Sequence, residues 1–202
     1  MGEVHAVVFD VGRVIVQWDL RHLIDGLVED PAEAAWVHAH VLTERWHFQH
    51  DAGRPLKYMV AERKSLFPRY ADVIDHYAAN FTDSIPGRVP GTHALIDRLA
   101  ARGVPLFAIT NFGAEFWQQF LPTEPVLAHM RDIVVSGEER MVKPEPHIFR
   151  IARKRFGYYP QHMLFIDDNA DNIAGAAALG WQVHHFSESG ALERDLVGRG
   201  LI

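Results

Sequence analysis

The sequence predicts an α/β fold, a parallel sheet with helices on both faces, carrying a small all-helical segment inserted after the first strand. Three observations predict it. Short apolar runs rich in β-branched residues recur at 4–9, 104–109, 132–136, 163–166 and 182–186. Beyond residue 87 these runs alternate with helical windows at 92–102, 145–156 and 173–179, the pattern of βαβ units. Between residues 19 and 81 there is helical spacing and no strand signal.

Each element has its own local reason. Residues 4–9 form a buried-strand run that stops at Asp10, with Gly12 two positions on for a turn. Asp30-Pro31 is an N-cap and first-turn pair, and Ala34, Val37, Val41 and Leu42 follow at helical spacing. Residues 51–55 (Asp-Ala-Gly-Arg-Pro) break that pattern. It resumes with Leu56, Met59, Val60, Arg63 and Phe67, then with Val73, Ile74, Tyr77 and Phe81. After Pro86-Gly87 and Pro90-Gly91, a helix with Leu95, Ile96 and Leu99 on one face ends at Gly103. The next strand runs into Thr110-Asn111, and the helix over 145–156 ends at Gly157. The strand over 163–166 runs into Asp167-Asp168, and a small-residue helix over 173–179 closes at Gly180. The division expected is therefore 1–16 with 87–202 as the sheet-bearing core, and 17–86 as a helical cap.

Composition removes whole classes of function. The 202 residues contain no cysteine, so disulfides, thiolate catalysis and cysteine metal sites are excluded. Twenty Lys and Arg against 26 Asp and Glu give a net charge of −6 with no basic block, which argues against nucleic acid as a partner. The apolar run at 4–16 holds Asp10 and Arg13, so it is no signal h-region, and the stretch 173–187, free of Asp, Glu, Lys and Arg, is too short and too polar to span a bilayer. The expectation is a cytoplasmic protein with no membrane partner, monomeric or dimeric.

The chemistry-bearing residues fall at strand ends, where open parallel sheets bind their ligands. Asp10 closes the first strand and is placed as a nucleophile or a metal ligand. Asp167 and Asp168 are adjacent carboxylates that repel unless a cation is shared, and oxygen-only donors favour Mg²⁺. One should face the metal and the other brace it, with Asn172 placed to hold a metal-bound water. Thr110 and Asn111 offer a hydroxyl, an amide and backbone N–H groups suited to a phosphoryl oxygen. Lys143, one of four lysines, precedes Pro144-Glu145-Pro146 and is positioned to balance charge around Asp10.

Taken together, FDVGRVIVQWD, ITN, KPEPHIF and FIDDNADNIAGA resemble the haloacid dehalogenase superfamily, in that order and across nearly the whole chain. The resemblance implies a Rossmann-like core with a type-1 helical cap, and the run DDNADN is similar to the glucose-1-phosphate phosphatase branch. It further implies that Asp10 is the nucleophile and that Lys143 assists it. Thr110, Asn111 and Lys143 would hold the phosphoryl group, and Asp10, Asp168 and the Gly12 carbonyl would hold Mg²⁺, with Asp167 and Asn172 behind. The function implied is Mg²⁺-dependent hydrolysis of a small phosphorylated metabolite, a sugar phosphate among the candidates, through an aspartyl-phosphate.

One position departs from the family pattern. Its phosphatases usually carry a second aspartate two residues after the nucleophile as general acid/base, and here that residue is Gly12. Such an acid is typically worth ~10²–10⁴ in rate. The departure leaves three readings: a phosphatase with a good leaving group or an acid from elsewhere, a 2-haloacid dehalogenase-type hydrolase, and a catalytically weak phosphate-binding or signalling relative. The first is favoured, because the paired aspartates argue for a metal. Arg13, where the branch typically has Asn, adds a cation beside the nucleophile that could contact substrate. In the cap, Trp46, His47 and His50 sit at a helix end before a glycine break. His47 and His50 at i, i+3 share a helix face, and either is a candidate substitute for the lost acid/base.

Overall fold

A computed structural model describes residues 2–202; Met1, the first residue of the expected core, lies outside them. Five parallel strands form the main sheet: β1 (Ala6–Phe9), β4 (Leu106–Thr110), β5 (Met130–Val135), β6 (Met163–Asp167) and β7 (Gln182–His185). Their order is β5-β4-β1-β6-β7, with β1 at the centre, Val8 beside Phe107 on one flank and beside Phe165 on the other. The fold class expected from the sequence is the one found.

The three central strands are buried at every position, which is why they read as unbroken apolar runs rather than alternating ones. Alternate residues still serve different layers. Ala6 and Val8 pack with Phe107, Phe165 and the helices α9 (Pro146–Phe156) and α10 (Ala170–Ala178). Val7 and Phe9 face the other way, toward α6 (Thr92–Ala101) and α11 (Ser189–Gly198). The helix expected over 173–179 starts earlier, at Ala170, because the Asn169 side chain accepts the Asp171 and Asn172 amides as an N-cap. The helix α11 and the short helices α7 (Ala114–Phe120) and α8 (Ser136–Glu139) were not expected.

A two-stranded antiparallel ribbon, β2 (Val16–Gln17) with β3 (Gly87–Arg88), brackets the inserted segment. Between them lie α1 (Leu20–Asp25), α2 (Pro31–His40), α3 (Glu44–Asp51), α4 (Leu56–Leu66) and α5 (Ala71–Ala79), so the segment is helical as expected. Asp19, Asp30 and Thr43 cap α1, α2 and α3 through their side chains. The insertion does not have a core of its own. Its Val37, Met59, Ile74 and Tyr77 belong to the same apolar cluster as Val7, Phe9 and Ile166 of the sheet. The helix α7 is the junction: Phe116 stacks on Phe81 at 4.2 Å between centroids, and Gln119 accepts the Phe81 amide while donating to the Ala78 carbonyl. No helix among the described residues is long and apolar enough to cross a membrane.

Candidate active site

The carboxyl ends of β1, β4 and β6 open into a cavity of about 200 Å³, roofed by α3 and the 3₁₀ turn at Phe81–Ser84. Asp10, Gly12, Asn111, Lys143, Asp168 and Asn172 all line it. Thus the strand ends that were singled out from the sequence do converge.

Lys143 is the centre of the arrangement. It is 1% exposed, and its Nζ lies 2.7 Å from Asp10 Oδ1 and 2.7 Å from Asp167 Oδ2. Burial works against its charge, but the two carboxylates outweigh that and hold its pKa above the ordinary lysine value. Asp10 is pushed up to about 7, chiefly by burial, with Asp167 and Asp168 adding to the effect and Lys143 opposing it. Asp168, half-buried, is also raised, by burial and then by Asp167. A divalent cation there would offset this crowding of carboxylates. Asp10, Asp167 and Asp168 each offer an oxygen within 4.8 Å of the others, and a set of hard oxygen donors fits Mg²⁺.

The two adjacent aspartates are differently engaged. Asp167 is fully buried away from the cavity, taking Lys143 Nζ, the Asn169 amide at 2.8 Å and Asn172 Nδ2 at 3.1 Å from both oxygens. Asp168 lines the cavity, and its carbonyl takes a bond from His185 Nε2 at 2.9 Å. Asn172 therefore braces Asp167 through its Nδ2 while itself lining the cavity. Asn111 has a structural partner as well. Its side-chain amide holds the Lys143 backbone, and the residue also lines the cavity. Thr110 is 1% exposed, and its Oγ1 has no hydrogen-bond partner among the described residues, an unfilled donor at the end of β4.

Gly12 is not required by backbone or space. A Cβ there meets nothing within 4 Å, and the residue is absent from the positive-φ positions. Arg13 does sit in left-handed backbone, φ 60°, at a cost of about 1 kcal/mol. Its guanidinium lies over the Trp18 ring and 3.0 Å from Glu44 Oε1 of α3, bridging the loop after β1 to the insertion at the cavity rim.

Of Trp46, His47 and His50 in the insertion, only His47 lines the cavity. Trp46 packs inward against Tyr77 and Arg63. His50 is 1% exposed, with Nδ1 on the Arg54 carbonyl and its ring laid against Gly113, so it faces the junction rather than the cavity. His47 is bound to Tyr77 Oη through Nδ1 at 2.8 Å and held at about 3 by burial, so it is neutral. Sequence reasoning missed Asp51, Trp18, Glu44 and Phe112, which also line the cavity. The i, i+4 relation of Asp51 to His47 was the available signal. Asp51 is 5% exposed and pushed up to about 7 by burial, against the opposing influence of His50, the Gly113 amide and Lys143.

Comparison with known proteins decides the family: a model described as a haloacid dehalogenase-like hydrolase matches residues 4–180. The chain belongs to this family. It is a haloacid dehalogenase-like hydrolase, and it is similar to the phosphoglycolate phosphatase of Yersinia pseudotuberculosis, 31% identical over 144 residues. That alignment covers 70% of this chain and 58% of the relative. A match to mouse acyl-CoA dehydrogenase family member 10 is 25% identical and covers 87% of this chain but 17% of that protein, so the chain spans less than two thirds of either relative. Among solved structures, a HAD family enzyme of Bacteroides thetaiotaomicron in complex with magnesium and inorganic phosphate superposes with a TM-score of 0.72 at 18% identity, covering 92% of this chain and 95% of that one. That likeness establishes the fold of this hydrolase.

Proposed function

We propose that this hydrolase is a Mg²⁺-dependent phosphatase of a small phosphorylated metabolite, acting through an aspartyl-phosphate on Asp10. The observation that carries the reading is the placement of Lys143 between Asp10 and Asp167 at the floor of a cavity that also holds Asp168. Phosphoryl transfer asks mainly for positioning and charge stabilisation, and a buried cation beside a rigid carboxylate supplies both. Asp10 attacks phosphorus, the bond to the leaving oxygen breaks, and water then releases phosphate and restores the carboxylate. Lys143 and the Val11 amide fix the Asp10 carboxylate through Oδ1, and the buried Thr110 hydroxyl at the end of β4 is left without a partner among the described residues. Mg²⁺, held by Asp10, Asp168 and the Gly12 carbonyl, would supply neutralisation of phosphoryl charge.

In this reading residues 1–16 and 87–202 are the catalytic core and 17–86 the cap that selects substrate. Glucose-1-phosphate and phosphoglycolate are the first substrates to try, the former from the sequence resemblance and the latter from the Yersinia relative. The test is a panel of phosphate monoesters with Mg²⁺ and with EDTA, run on the wild type and on Asp10→Asn. The expected result is phosphate release that needs Mg²⁺ and vanishes in Asp10→Asn while the fold persists. Full activity in that variant overturns the mechanism.

A further inference from the structure

If Asp10 is a phosphatase nucleophile, something must protonate the leaving oxygen, and Gly12 cannot. We propose that Asp51, at the end of α3, is the catalytic acid/base of this site, giving its proton to the leaving oxygen and taking one back from the attacking water. The inference rests on the phosphatase reading and adds a residue to it.

Geometry comes first. Asp51 lines the same cavity as Asp10 and Lys143, and its Oδ1 is buried with no hydrogen-bond partner among the described residues. Its other oxygen, Oδ2, lies 3.5 Å from His47 Nε2. The Tyr77 hydroxyl, buried against His47 Nδ1 at 2.8 Å, finds its acceptor there, which leaves the proton of the neutral imidazole on Nε2, facing Asp51. His47 is thus a positioning residue that faces one carboxyl oxygen and leaves the other without a hydrogen-bond partner among the described residues. The backbone is pinned as well: Ser136 Oγ donates to the Asp51 carbonyl at 2.7 Å and accepts the Phe112 amide at 2.9 Å. An insertion residue is thereby held to the end of β5.

The electrostatics agree. The groups facing Asp51 are His47 and His50 from its own helix, Tyr77 of α5, the Gly113 amide before α7 and Lys143 before α9. Burial outweighs the groups that favour its charge and sets its carboxyl near neutrality, where a group can both give and take a proton. His47 is too weak a base to compete, and His50 lies outside the cavity. The steps balance. As the Asp10 oxygen bonds to phosphorus, the leaving oxygen departs with its electron pair and takes the Asp51 proton. The Asp51 carboxylate then takes a proton from the water that attacks the aspartyl-phosphate, and the Asp10 carboxylate is released.

The test compares wild type, Asp51→Asn and His47→Gln on two esters with Mg²⁺: an alkyl phosphate and a dinitrophenyl phosphate, whose leaving group needs no proton. The expected result for Asp51→Asn is a fall in kcat/KM, which reports the first transfer and not the later attack by water, of about 10²–10⁴-fold on the alkyl ester and less than about tenfold on the aryl ester. His47→Gln, which keeps the carboxyl, should show a smaller loss with the same preference, and it carries the test if Asp51→Asn does not fold. Equal losses on both esters, or none on the alkyl ester, overturn the inference. A wild type active on both esters with an unimpaired Asp51→Asn overturns it alone. A wild type inert toward both overturns the phosphatase reading and the inference with it.

Discussion

Asn111 and Lys143 hold each other by their polar atoms in both directions. The Lys143 amide donates to Asn111 Oδ1 at 2.8 Å, and Asn111 Nδ2 donates to the Lys143 carbonyl at 3.0 Å. A side chain at the end of β4 thereby sets the backbone that carries the buried ammonium. Asn111→Ala leaves both backbone groups without these partners, an expected loss of about 1–3 kcal/mol in urea unfolding together with reduced kcat. Unchanged stability and turnover would show that the clasp is idle.

Removing the ammonium itself should cost more. Lys143→Met leaves Asp10 and Asp167 facing one another in a buried site, an expected loss of about 3–5 kcal/mol. Because Asp10 is already pushed up to about 7, protonation relieves part of that loss, so the deficit should be smaller at pH 5 than at pH 8. A deficit that grows on acidification contradicts the account.

The pH dependence of stability separates two buried groups. Asp51 is raised from 3.8 to about 7, so its contribution is complete below about pH 4 and is lost as pH rises through 7. Asp51→Asn should therefore gain on the wild type across that window, by on the order of 4 kcal/mol at its upper end. His47 runs the other way. Lowered from 6.5 to about 3, it contributes stability above pH 6.5 that is lost as pH falls toward 3. Denaturation midpoints of wild type, Asp51→Asn and His47→Gln, measured from pH 4 to 8.5, check both signs.

Two glycines should respond in opposite ways. At Gly113 a Cβ would stand 1.9 Å from His50 Cδ2, and that ring is buried and bonded to Arg54, so Gly113→Ala should cost at least about 1–3 kcal/mol. At Gly12 a Cβ meets nothing. Gly12→Asp should fold with a melting temperature near that of the wild type, and in the Asp51→Asn background it should restore part of the lost turnover on alkyl phosphates. Failure of rescue in a folded double variant would mean that position 12 no longer reaches the leaving oxygen.

The strands were legible because each central one is buried on both faces, leaving apolar runs that end abruptly at Asp10, Thr110 and Asp167. The helix α7 was not, since it has seven residues, no side-chain cap and a glycine before it. The floor of the site could be read for the same reason as the strands: polar residues at the ends of apolar runs have few places to go. Its roof could not. His47 and His50 share a face of α3 as their spacing requires, yet spacing does not say what lies opposite, and the bare backbone of Gly113 takes His50 out of the cavity. Asp51 looked like part of a turn, because a carboxylate is buried by tertiary packing that no local pattern announces.

The clasp around α7 bears on how this enzyme can be re-engineered. Gln119 holds the insertion at Phe81 and Ala78, Glu115 accepts the Leu56 amide at 3.3 Å, and Phe116 completes the aromatic stack with Phe81 and Tyr77. Residues 17–86 are consequently not a transplantable module. A chimera that exchanges them for the insertion of a relative must import the matching α7 too, and keep a hydroxyl at Ser136 to hold the carbonyl of the residue that replaces Asp51.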